Sequence, residues 1–107
     1  MRKIIDGAAF MQMVLCASAA LEENRQQLND LNVFPVPDGD TGTNMSLTMS
    51  AAADALRTKN PQTVTEVADA TASALLRGAR GNSGVILSLL FRGMAKSLKG
   101  KVVSFLE

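Results

Sequence analysis

Apolar positions along this chain recur at intervals of three, four and seven residues, the spacing of helical faces rather than of strands. Over residues 6–29, Phe10, Val14, Ala17, Leu21 and Leu28 fall on one stripe, and Asp6 is placed to cap its first turn. Residues 31–43 break the pattern, because Pro35, Pro37, Gly39 and Gly42 require a turning loop. A second helix is expected from Thr43 or Asn44 to about Thr58, with Met45, Met49, Ala52 and Leu56 on one face. Asn60-Pro61 ends it. Thr63 and Glu66 then have the spacing of a capping box, and Val64, Val67, Thr71 and Leu75 carry a third helix towards Arg77. After a loop at residues 78–84, Ile86, Leu90, Met94 and Leu98, flanked by Leu87 and Phe91, predict a fourth helix that Gly100 stops. Residues 101–107 begin another apolar pattern too short for two helical turns.

Composition narrows the fold to all-α. The chain has 107 residues, room for one small domain spanning residues 1–107, and its 47% hydrophobic content is rich in Ala, Leu and Met with only four aromatic residues, all Phe. Charge narrows the function. Eleven basic against ten acidic residues give a net charge of +1, without the basic excess that phosphate-backbone binding requires, so nucleic acid is not an expected partner. No apolar run reaches the roughly 18 residues that would span a bilayer. The lone Cys16 sits in an apolar stretch and is expected to be a buried small hydrophobe in a reducing cytoplasm. Histidine is absent, which removes a histidine base or ligand from this chain and leaves carboxylates, hydroxyls, amides and arginines for any chemistry.

Two loops carry candidate chemistry. In Pro37-Asp38-Gly39-Asp40-Thr41-Gly42-Thr43-Asn44, two carboxylates separated by one glycine can converge on a hard cation, with Mg²⁺ the natural candidate. Thr41, Thr43 and Asn44 follow at a predicted helix start, where free backbone N–H groups and the helix dipole favour anions. The bland alternative is that Asp38 and Asp40 make Asx-turns around the glycines. An EF-hand fails, because Gly42 and Met49 stand where ligands are needed, and a Walker A loop fails for want of Gly-Lys-Ser/Thr. An aspartyl phosphatase would use Asp38 as nucleophile and Asp40 as acid/base, but its motif follows a buried strand that Pro35 and Pro37 disfavour. In the second loop, Gly78, Gly81 and Gly84 permit tight turns, while Asn82 or Ser83 can cap the fourth helix and expose amides to a phosphate. An ordinary capped helix-to-helix turn is the alternative there. Arg77 and Arg80 are available to compensate phosphate charge or simply to be solvated.

Taken together, LNVFPVPDGDTGTNM at residues 31–45 and RGARGNSGVIL at residues 77–87 resemble the DAK2, or DhaL-like, nucleotide-binding domain of dihydroxyacetone-kinase and fatty-acid-kinase proteins. They look most similar to the ATP-binding subunit of bacterial fatty acid kinase, and Ile5-Asp6-Gly7 with Phe10 looks similar too. The resemblance implies an antiparallel helical barrel of eight helices, of which this chain would supply four to five. It implies Mg²⁺ under ATP or ADP, with Asp38 and Asp40 as metal ligands and Thr41, Thr43, Asn44, Gly81, Asn82, Ser83 and Gly84 around the nucleotide. Transfer of phosphate to a fatty acid on a separate carrier protein is also implied. The third aspartate of the dihydroxyacetone-kinase branch has no clear counterpart, Asp30 and Asn32 being nearest, and Leu89 stands where fatty-acid-kinase relatives commonly have glutamine. A half-barrel would expose apolar surface and invite self-association. A non-catalytic nucleotide-binding or assembly module is the alternative reading.

Overall fold

The computed structural model of the chain describes residues 2–31, 39–99 and 103–106. In chain order these form β1 (Arg2–Ile5), α1 (Gly7–Glu23), α2 (Arg25–Asp30), α3 (Thr41–Lys59), α4 (Val64–Gly78), α5 (Gly81–Leu98) and β2 (Val103–Leu106). The all-α expectation holds, as a five-helix bundle rather than a closed barrel. The helical pattern expected after residue 101 is corrected: Val103–Leu106 is a strand, paired antiparallel with β1 so that Ile5 faces Val103 and Arg2 faces Leu106. No alternating βαβ order is present among the described residues.

Local chemistry explains most helix ends. Asp6 caps α1 by accepting from the Ala9 N–H at 2.8 Å. The single helix expected over residues 6–29 is broken at Asn24, whose side chain and backbone N–H both turn back to the Ala20 carbonyl, ending α1 and letting six-residue α2 restart. Asn60 closes α3 in the left-handed region at φ 47°, donating to the Leu56 carbonyl, with Pro61 next. At α4 the predicted capping box is present: Thr63 accepts from the Glu66 N–H at 3.1 Å and donates to the Glu66 carboxylate at 3.2 Å.

Helix α3 lies at the centre and touches all four other helices. It buries Met49, Ala52 and Leu56 against Phe10 and Val14 of α1 and against Val64, Val67, Ala68, Ala74 and Leu75 of α4. Each large apolar side chain so enclosed contributes about 1.5–3 kcal/mol, and the alanines let the helix axes approach closely. Helix α5 differs. It turns Gly84, Ser88 and Ala95 inward, while Ile86 and Leu90 remain 58% and 63% exposed. Cys16 is exposed, not buried as expected, because α1 packs through Phe10, Val14 and Ser18, leaving both Cys16 and Ala17 outside that stripe.

Candidate functional site

Helices α3 and α5 run either side of α4 in the chain and start at the same end of the molecule. Thr48, fully buried on α3, ties the two starts together: its hydroxyl donates to the Asn44 carbonyl at 2.7 Å and accepts from the Arg80 N–H at 3.1 Å. Glycines make the approach possible. A Cβ at Gly84 would overlap the Thr48 hydroxyl, and one at Gly81 would overlap the Asn44 side-chain amide. Gly81 also has φ +64°, a conformation that costs other L-residues about 1–2 kcal/mol. Gly78, at the end of α4, abuts Ala51 of α3.

Helix α3 starts at Thr41, earlier than the Thr43 or Asn44 that the sequence suggested, with Asp40 as its N-cap residue. Asp40 is exposed, and its carboxylate makes no capping bond; only its carbonyl is engaged, accepting from the Asn44 N–H at 2.9 Å. The cap is supplied from outside. Asn29, on α2, accepts from the Thr43 N–H at 3.0 Å and donates to the Thr43 hydroxyl at 2.9 Å. Gly42 presses on the same helix so closely that a Cβ would overlap the Arg25 carbonyl oxygen. Neither Asn29 nor Thr48 stood out in the sequence: each works through partners 14 or 32 residues away, beyond any local spacing rule.

Helix α5 starts at Gly81 with Arg80 as N-cap, so Asn82 and Ser83 are not caps but residues of the first turn, and the expected loop at residues 78–84 shrinks to Ala79 and Arg80. The first intrahelical bond is the Gly84 N–H to the Arg80 carbonyl at 3.1 Å, which leaves the Gly81, Asn82 and Ser83 amides without helical acceptors. Two helix N-termini side by side, each equivalent to about half a positive charge, repel one another unless an anion lies between them. An apolar cleft of about 200 Å³, lined by Met45, Ser83, Ile86, Leu87 and Leu90, borders this end.

Thr41, Thr43, Asn44, Gly81, Asn82, Ser83 and Gly84 are thus brought to one end of the bundle by the α3–α5 junction. Asp38 and Asn32 lie outside the described residues. Asp30 is exposed and accepts from Gln26 at 2.9 Å, and no cluster of three or more acidic, Cys or His side chains occurs among the described residues. Among the described residues, Asp40 offers a free carboxylate beside the α3 amides, fitting one ligand of an ion that otherwise takes water and phosphate oxygens. Arg77 folds back onto Ser73 at 3.1 Å, leaving Arg80 as the arginine at the junction. Leu89 lines a different groove between α4 and α5, with Asp69, Leu76 and Arg92. No helix among the described residues is long and apolar enough to cross a membrane.

The DAK2 domain family matches residues 35–105. Protein YloV of Bacillus subtilis is 46% identical over 99 residues, covering 92% of this chain and 18% of that protein. Uncharacterized proteins of Staphylococcus saprophyticus and Staphylococcus epidermidis are 48% and 44% identical, over 89% and 91% of this chain and 17% and 18% of their own lengths. The chain therefore spans less than a fifth of these relatives.

Proposed function

This chain belongs to the DAK2 domain family, and from that premise we propose that the paired starts of α3 and α5 receive the phosphates of ATP or ADP. The observation carrying the proposal is the Thr48 junction, which holds the start of α3 against the first-turn amides of α5 at one end. Asp38 and Asp40 hold Mg²⁺ beside those phosphates, and the ion, when bound, neutralises phosphate charge and orients the polyphosphate. Thr41, Thr43 and Asn44 face the phosphates from α3, and Gly81, Asn82, Ser83 and Gly84 do so from α5. The apolar cleft beside Met45 and Ser83 suits the flat face of a base.

Within a whole kinase the acceptor is a fatty acid carboxylate presented by a carrier protein. One carboxylate oxygen attacks the γ-phosphorus, forming an acyl phosphate, while the bond to the β,γ-bridging oxygen breaks and its electron pair leaves with ADP. The carboxylate is already ionised near neutral pH, so the absence of histidine is compatible with this transfer. Amide NMR tests the nucleotide step. Adding ADP with Mg²⁺ should shift the resonances of residues 40–44 and 80–84 far more than those of the α4 N-terminus; shifts confined elsewhere would remove the proposal.

A second reading rests on apolar side chains left exposed on α4 and α5: Leu76, which is 65% exposed and shares a groove with Leu89, and Ile86, Leu90 and Met94. Apolar surface of that kind is normally covered. On this reading the chain is a nucleotide-binding assembly module that associates with itself through α4 and α5. Sedimentation at micromolar concentration should then show a dimer, and a monodisperse monomer would contradict it.

A further inference from the structure

The contact between Asn29 and Thr43 has a defined direction. A backbone N–H can only donate, so the Asn29 side-chain oxygen must face the Thr43 amide. The Asn29 NH₂ group is then the one facing the Thr43 hydroxyl, and that hydroxyl is the acceptor. Its single hydrogen is left for some other acceptor. The same α2 segment is fixed in place by the close approach of Gly42 to the Arg25 carbonyl and the Leu28 side chain, so the clamp is part of a packed junction rather than a loose surface contact.

We propose that Asn29 is a positioning residue for the anion end of α3, one that occupies an acceptor site of the Thr43 hydroxyl and leaves its single hydrogen to be donated to a phosphate oxygen. The inference rests on the nucleotide reading above and adds to it a residue outside both loops. Phosphate oxygens near neutral pH are predominantly acceptors, so a hydroxyl that already accepts from an NH₂ donor and keeps its hydrogen unused is matched to them before the ligand arrives. An aspartate at the same position keeps the acceptor for the Thr43 N–H but reverses the second bond. The hydroxyl would then donate to the carboxylate and be lost to the ligand.

The test is calorimetric titration of the 107-residue chain with ADP and Mg²⁺, comparing the unaltered chain, Asn29→Asp, Thr43→Val and the double variant. Asn29→Asp should keep the melting temperature within a few degrees, because the helix cap survives, yet weaken ADP by about 10- to 100-fold, the range set by one hydrogen bond to a charged group. The added negative charge can also weaken binding, and the double variant separates the two causes. In the Thr43→Val background the Asn29→Asp penalty should shrink to a few-fold, because no hydroxyl remains to be reversed. An equal penalty in both backgrounds, or unchanged affinity in Asn29→Asp, would overturn the positioning role while leaving the nucleotide reading standing. Failure of the unaltered chain to bind ADP with Mg²⁺ would overturn both.

Discussion

The starts of α3 and α5 lie against each other, but they are not built alike. The α3 start is held partly by side chains, Asn29 supplying both bonds to Thr43, and partly by the bare Gly42, which admits the Arg25 carbonyl and Leu28. The α5 start is held by missing ones, since Gly81 and Gly84 leave room for Asn44 and Thr48, and the residue before them donates its backbone N–H to Thr48. The α3 start is thus braced by another helix, whereas the α5 start has no side-chain cap. A substitution at Gly42 therefore disturbs the packing of α2 on α3, whereas one at Gly81 or Gly84 disturbs the α3–α5 junction.

The largest effect is expected from Gly42→Ala. Alanine is intrinsically better in a helix by about 0.5–1 kcal/mol, but here its Cβ would strike the Arg25 carbonyl, a backbone atom that moves only with α2. Overpacking should win, with a net loss of about 2–3 kcal/mol and a melting temperature lower by roughly 10–20 °C in a thermal scan. Thr48→Val should come next. It preserves shape but leaves the Arg80 N–H without its acceptor, costing about 1–2 kcal/mol and weakening nucleotide binding through the loosened α5 start. Gly81→Ala should cost about 1 kcal/mol for its left-handed backbone and displace the Asn44 amide, so titration should show weaker binding than the small stability loss suggests. Thr63→Ala sharpens the contrast. Losing that cap also costs about 1 kcal/mol, but at the far end of α4, so the melting temperature should fall with no change in nucleotide affinity.

What the sequence revealed follows the range of the interactions. Helix α4 was readable because its cap and its buried face, Val64, Val67, Thr71 and Leu75, lie within a few residues of one another. The same reading of α5 found the apolar residues but not all their directions: Leu87, Phe91 and Leu98 pack against the core with Ala95, while Ile86 and Leu90 stay largely exposed. Asn24 was passed over because an asparagine inside an apolar pattern looks tolerable until its side chain is seen bonded to the Ala20 carbonyl. Asn82 and Ser83 were misread as caps since both are good capping types, whereas the close fit at Gly81 and Gly84 sets the helix start two residues earlier. The residues proposed to face the nucleotide were singled out through their motifs. The residues that hold them, Asn29 and Thr48, were not, for their partners lie on other helices.

We propose that one metal-bound polyphosphate is shared between the acidic loop and the α5 start. Calorimetric titration with ATP, in the presence and absence of Mg²⁺, of the unaltered chain and of an Asp38→Ala/Asp40→Ala double variant tests it most directly. Binding should appear only with Mg²⁺, and it should vanish in the variant while the helical circular-dichroism signal is retained. Binding of equal strength without Mg²⁺, or in the variant, would contradict it.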